Sequence, residues 1–146
     1  MASFFSSSSS ATILLLLTLS LMTSYLSTLS SAKNRLNTGE SLHAFESLSY
    51  GQYVLLFRKY CFLFFENGDT KIWKAEGEGL FCTLTMQSDG NLVMHKGTDP
   101  NGKVVWASNT YQPNPTNDYY LLVTNQVAIY DGQNNAIWVN GNKVVR

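Results

Sequence analysis

The sequence predicts an all-β domain made of hairpins around one shared core, and three observations carry that prediction. Trp73, Trp106 and Trp138 stand 33 and 32 residues apart and end similar runs, Asp69-Thr-Lys-Ile-Trp73, Lys103-Val-Val-Trp106 and Asn135-Ala-Ile-Trp138. A threefold repeat follows: each unit is too small to bury a core alone, so the three share one about an approximate threefold axis. Short runs rich in Val, Leu, Phe, Tyr and Trp alternate with turn clusters, Glu66-Asn-Gly-Asp69, Ser88-Asp-Gly-Asn91, Pro100-Asn-Gly102 and Asp131-Gly-Gln-Asn-Asn135. Finally, no window beyond residue 40 sustains an apolar period of 3.6, so helices have no basis there.

The amino-terminal stretch stands apart from that domain. The first 32 residues carry no charged side chain, whereas all ten Lys/Arg and all ten Asp/Glu lie beyond them, from Lys33 and Arg35 onward. Ala11 to Met22 is an apolar stretch, and Ser30-Ser31-Ala32 offers small residues for a signal peptidase. Residues 1–32 therefore read as a secretory signal cut near Ala32, and the product as extracellular or vacuolar. An uncleaved anchor fits less well, because the apolar run falls short of the roughly 20 residues that span a bilayer.

Residues 33–146, about 114 in number, suffice for one compact domain and not two. Their net charge is zero, with no basic patch or charge run, so neither nucleic acid nor an anionic membrane is indicated. Neutral carbohydrate fits better. In an exported chain a disulfide between Cys61 and Cys82 is the default, worth about 3 kcal/mol in the chain-entropy account. Two buried free thiols are the alternative. Metal binding is weaker still, since only His43 and His95 could add imidazoles and neither stands at a zinc-like spacing from the cysteines.

Between Leu84 and His95 the alternation assigns faces. Leu84, Met86, Leu92 and Met94 form an apolar face, and Thr85, Gln87, Val93 and His95 fall on the other. A two-residue turn at Asp89-Gly90 would oppose Met86 to Val93 and mix the faces. The expectation is a three-residue loop, Asp89-Gly90-Asn91, pairing Met86 with Met94 and Gln87 with Val93. A straight strand would hold Gln87 and His95 about 26 Å apart, whereas the hairpin lets them converge on one small ligand.

Gln87, Asp89, Asn91, Val93 and His95 then present a carboxamide, a carboxylate, a second carboxamide, an aliphatic patch and an imidazole to one surface. Pyranose hydroxyls both donate and accept; Asp accepts, Asn and Gln do either, and Val covers a C–H face of the ring. No metal or other cofactor is required. The plainer reading is that Asp-Gly-Asn is good turn chemistry and Gln87 a solvated residue, which spacing alone favours.

The run from Gln87 to Val93, together with Thr38-Gly-Glu-Ser-Leu42, Ser49-Tyr-Gly51, Thr85-Met-Gln87 and Trp106-Ala-Ser-Asn-Thr110, resembles the bulb-type, mannose-binding lectins of monocot plants. That family includes the snowdrop agglutinin and has the signature Q-x-D-x-N-x-V-x-Y. The resemblance runs from about Leu36 to Asn142. It implies a type II β-prism of three four-stranded antiparallel sheets with pseudo-threefold symmetry, in agreement with the tryptophan spacing, and a disulfide where Cys61 and Cys82 stand. It also implies that Gln87, Asp89 and Asn91 hydrogen-bond mannose hydroxyls, that Val93 packs on the ring, and that the position of His95, a tyrosine in the family, meets a further hydroxyl.

The sequence departs from the family pattern in every repeat. Around Cys61 the residues Arg58-Lys-Tyr60-Cys-Phe62-Leu-Phe64-Phe-Glu66 keep none of the polar ligands; there Cys61, Leu63 and Phe65 are expected to point one way and Phe62 and Phe64 the other. In the third repeat, counting back from Tyr130, the places of Gln, Asp, Asn and Val hold Leu122, Thr124, Gln126 and Ala128, in a segment two residues short of the family's. Both sites are expected to be closed. The second repeat keeps four of five residues, so weakened binding is expected, with affinity changing between about pH 5.5 and 7.5 if His95 touches sugar.

One site per chain cannot bridge two glycans. A homodimer would restore bivalency, and Asn140 to Arg146 could supply the strand that family members exchange or appose. The expected partners are mannose-containing glycans or glycoproteins, with no nucleic acid and no membrane once the signal is gone. A second reading is a sugar-silent homologue acting through its surface in storage, defence or taste modification. An enzyme is disfavoured, because no serine or cysteine has a plausible base motif and no carboxylate pair stands out.

Overall fold

The computed structural model describes residues 32–99, 101–113 and 118–145 and, before them, Leu14 alone. The chain falls into two units, Met1–Ser31 and Ala32–Arg146. The expected secretory signal, Leu14 and Ala32 apart, lies outside the described residues.

The second unit starts with three short strands, β1 (Arg35–Asn37), β2 (Ser41–His43) and β3 (Ser47–Tyr50), and each joins a different sheet. β4 (Tyr53–Arg58), β5 (Phe62–Asn67) and β6 (Thr70–Glu76) complete the sheet of β3. Likewise β7 (Thr83–Met86), β8 (Leu92–His95) and β9 (Val104–Ala107) complete that of β2, while β10 (Tyr120–Val123), β11 (Val127–Tyr130) and β12 (Ala136–Val139) complete that of β1. Every sheet thus takes one strand from the amino-terminal segment and three from one repeat. All pairings are antiparallel.

Each repeat feeds the core through two cross-strand apolar pairs at equivalent positions. They are Leu55 with Phe65 and Phe57 with Leu63, Leu84 with Met94 and Met86 with Leu92, and Leu121 with Ile129 and Val123 with Val127. All twelve side chains are fully buried. At about 1.5–3 kcal/mol for each large side chain removed from water, these pairs drive the association of the three sheets. Leu36, Leu42 and Leu48 add one buried residue from each amino-terminal strand. The tryptophans meet edge to face, with ring centroids 5.9 Å apart for Trp73 and Trp106, 5.0 Å for Trp73 and Trp138, and 6.4 Å for Trp106 and Trp138. The equivalence inferred from their spacing is therefore physical contact.

One sheet differs from the expected four strands. Asn140 and Gly141, at φ 45° and 94°, make a two-residue turn with the positive φ values that tight hairpins need, and β13 (Asn142–Lys143) folds back on β12 as a fifth strand. Gly141 lies against the Trp73 indole so closely that a Cβ would have no room. The disulfide joins Cys61 to Cys82 with Cα atoms 5.2 Å apart, tying the first repeat to the second.

Candidate functional site

The second-repeat hairpin closes one residue earlier than its sequence suggests. Met86 pairs with Leu92 rather than Met94, and the Gln87 N–H donates to the Asn91 carbonyl at 2.9 Å, so Gln87 faces Asn91 rather than Val93. The loop is Ser88-Asp89-Gly90. A three-residue hairpin loop needs its last residue in the left-handed region, and Gly90, at φ 85°, enters it without steric cost. A Cβ at this position would also lie 2.9 Å from Tyr119 Cε1. Because the register moves by two, parity is unchanged and the apolar face survives.

On the outer face Gln87 stands opposite Asn91, Thr85 opposite Val93 and Thr83 opposite His95, with Asp89 in mid-loop. The five predicted residues therefore occupy one face and its adjoining turn. Their hydrogen bonding divides them. Asp89 Oδ1 accepts the Asn91 N–H at 2.9 Å, which leaves Oδ2 as the acceptor still available, and no cation pairs with it among the described residues. Asn91 Oδ1 accepts the Thr110 N–H at 3.2 Å and the Ser108 hydroxyl at 3.0 Å. A backbone N–H can only donate, so the amide orientation is settled and Nδ2 is left as a donor. The Gln87 side chain makes no hydrogen bond among the described residues. Gln87 and Asp89 border a hollow of about 390 Å³ whose other wall is Thr38, Gly39 and Thr85, within the range of small-molecule pockets.

Val93 and His95 form a more closed floor, 3% and 4% exposed. Little of Val93 is left for a sugar ring to cover. His95 Nδ1 is buried without a hydrogen-bond partner, an uncommon state for an interior polar atom.

Sequence reasoning missed two residues, Ser108 and Thr110, which are 7% and 3% exposed. Ser108 Oγ accepts the Leu92 N–H at 2.9 Å and donates to Asn91, while Thr110 Oγ1 donates to the Gly90 carbonyl at 2.7 Å. The Gln112 N–H donates to the Asp89 carbonyl at 2.7 Å. Residues after β9 thus brace the loop from Asp89 to Leu92. The run Trp106-Ala-Ser-Asn-Thr110 was visible in the sequence, but its purpose depends on a contact between strands that spacing does not report.

The wall of the hollow is held by a charged turn. Glu40 Oε2 accepts the Asn37 N–H at 2.7 Å and lies 3.2 Å from Lys33 Nζ. The Asn37 hydrogen bond, aided by Lys33, holds the Glu40 carboxyl below its ordinary value of 4.5 against a smaller opposing effect of burial.

The other two repeats carry different chemistry at the equivalent places. In the first, Arg58 faces Phe62 and Leu56 faces Phe64, with Cys61, at φ 61°, in the position of Gly90. Cys61, Leu63 and Phe65 point inward and Phe62 and Phe64 outward, as parity required. In the third, three residues separate the paired Val123 and Val127 where five separate Met86 and Leu92. The two lost residues remove the place of Asp89 altogether, and Leu122, opposite Ala128, corresponds to Thr85 rather than to Gln87. Tyr120 stacks on Tyr130 at 5.2 Å, and the Arg35 guanidinium lies 3.6 Å above the Tyr120 ring. Arg35 and Tyr120 thus occupy part of that face and, with Asn37 and Asn134, border a hollow of about 400 Å³. Among the described residues no His, Cys, Asp and Glu side chains cluster as metal ligands.

No family model matches the chain. A mannose-specific lectin of Aloe arborescens is 35% identical over 92 residues, covering 62% of this chain and 80% of that protein. Curculin-2 of Molineria latifolia is 35% identical over 92 residues, 62% of this chain, but the match spans only about half of that relative, 56%. Among solved structures, a monomeric monocot mannose-binding lectin from Gastrodia elata is 37% identical with a TM-score of 0.66, and the match covers 77% of this chain and 100% of that one.

Proposed function

Because the chain belongs to the bulb-type, mannose-binding lectin family, we propose that it is a secreted lectin, not an enzyme, that binds terminal α-mannose weakly through the hairpin of its second repeat. The observation that supports this reading is that one hairpin carries three differently committed polar groups, Gln87 and Asp89 at the edge of the hollow and Asn91 facing Gln87 across the strands. Asp89 Oδ2 accepts, Asn91 Nδ2 donates, and the Gln87 carboxamide does either. That set matches a pair of neighbouring hydroxyls on a neutral ring, and two of its three members are pre-ordered, Asn91 by Ser108 and Thr110 and Asp89 by the Asn91 N–H, so less orientational freedom is lost on binding.

Weak affinity follows from the floor. Val93 gives up little apolar surface, and His95 replaces the phenol of the family signature with a shorter group. With the first face aromatic and the third lacking a place for Asp89, binding is monovalent in a single chain, and crosslinking requires a dimer.

A sugar-silent reading has its own support: the same two altered faces, and a similarity to curculin-2 equal in identity to that with the Aloe lectin. A glycan array with an Asp89→Ala control separates the two. Binding to mannose-terminated structures that disappears in the control supports the lectin. Silence of the parent on every glycan leaves the sugar-silent reading standing.

A further inference from the structure

We infer that the corner of the domain bearing Phe45, Tyr60, Leu80 and Phe81 is a docking surface for an anionic lipid bilayer. These side chains are 66%, 57%, 47% and 47% exposed and come from three separate connections: β2 to β3, β4 to β5, and β6 to β7. The Phe45 and Phe81 rings meet edge to face at 6.5 Å. Lys59 Nζ lies 5.4 Å from the Phe81 ring centre and 5.6 Å from that of Tyr60. The result is one contiguous aromatic cluster with an ammonium in its midst.

Two of the residues are held where their own type is disfavoured. Phe45 and Phe81 have φ 76° and 53°, a region that asparagine or glycine enters readily and a bulky residue does not. Backbone hydrogen bonds fix both, from Phe45 N–H to the Phe57 carbonyl at 2.7 Å and from Phe81 N–H to the Lys59 carbonyl at 2.8 Å. The rings bring the core nothing, since both point to solvent. Backbone strain and exposed apolar area both disfavour this arrangement in water, and an external apolar phase offsets both.

The chemistry of the surroundings selects the occupant. The rings stand at turn tips, so the partner must accept protruding side chains, as the interfacial zone of a bilayer does. Lys59 lies among the rings, and Arg58 and Lys96 are exposed; none of the three pairs with a carboxylate among the described residues. Lys96 is brought close by its contact with Gly79, next to Leu80. Of the nearby acids, Glu46 turns its carboxylate to the His43 N–H at 2.7 Å, and Glu78 remains exposed. Cations inside an aromatic cluster suit lipid phosphates and carboxylates, each basic residue near the surface adding to the attraction. The chain-wide net charge of zero conceals this local arrangement.

The test is sedimentation of the chain with sucrose-loaded vesicles of phosphatidylcholine alone or of an equal mixture with phosphatidylserine. Binding to the mixture, weaker to phosphatidylcholine alone and weakened by salt, is expected. The double variant Phe45→Asn and Phe81→Asn should lose at least about tenfold in partitioning. Its melting temperature should hold or rise, because asparagine relieves the strain. Lys59→Gln should weaken the phosphatidylserine preference severalfold, with Arg58 and Lys96 supplying the rest, and Asp89→Ala should leave vesicle binding unchanged, which separates this surface from the sugar site. No sedimentation of the parent, or equal sedimentation of the double variant, overturns the proposal. So does a parent that is dimeric and ignores vesicles while the double variant is monomeric, since the surface then belongs to a second copy.

Discussion

Replacing Asp89 by asparagine exchanges one oxygen for an NH₂ group at the position that the proposed function assigns to both the turn and the sugar. Oδ1 accepts the Asn91 N–H at 2.9 Å, and an asparagine carbonyl can take over that bond, so the loop keeps its closure. What changes is Oδ2, which becomes an NH₂ group. A sugar hydroxyl that donated to the carboxylate must rotate and accept instead, exchanging a charge-assisted hydrogen bond of about 1.5–3 kcal/mol for a neutral one of about 0.5–1.5. The difference, roughly 1–2 kcal/mol, corresponds to about a 5- to 30-fold rise in Kd. Calorimetric titration with methyl α-mannoside reads the affinity, and a melting curve on the same sample reads the fold. A Kd within about twofold of the parent at unchanged melting temperature would refute the assignment. Asp89 would then be a turn residue and nothing more.

Ser108→Ala leaves the buried Leu92 N–H without its acceptor and Asn91 with one anchor in place of two; a destabilisation of about 1–3 kcal/mol by denaturant titration is expected, together with severalfold weaker sugar binding. His95→Tyr restores the phenol of the family signature and should strengthen methyl α-mannoside binding by about three- to tenfold in the same titration; no gain would mean that the floor is out of the sugar's reach. The Glu40 carboxyl, held below its ordinary 4.5, stabilises the β1–β2 turn fully above that value and loses its contribution as pH falls through the lowered one. Glu40→Gln should therefore lower stability slightly at neutral pH, by less than about 1 kcal/mol because the group is largely solvated, seen as a small drop in melting temperature, and the two proteins should converge in acid.

Periodicity made the fold legible, because strand parity and a 33-residue spacing are direct consequences of pleated backbone and threefold packing. The inward row of Cys61, Leu63 and Phe65 and the contact of the three tryptophans follow from those two rules alone. The hairpin register was less legible: parity permits every even shift, and only the left-handed requirement at Gly90 selects among them. Missing from the sequence was the division of labour within the site. That Asn91 keeps only its amide for a ligand depends on Ser108 and Thr110, 17 and 19 residues away along the chain. Likewise the third face carries Arg35 over its Tyr120 ring, a contact made from the far end of the sequence.

The most direct test is a titration of the isotope-labelled chain with methyl α-mannoside followed by amide resonances. Shifts confined to the backbone from Gln87 to Asn91 and to the Gln87 and Asn91 carboxamide groups are predicted, with the Phe62 and Tyr120 faces unmoved. No shifts at saturating sugar, or shifts centred on either of those other faces, would contradict the assignment of binding to the second-repeat hairpin.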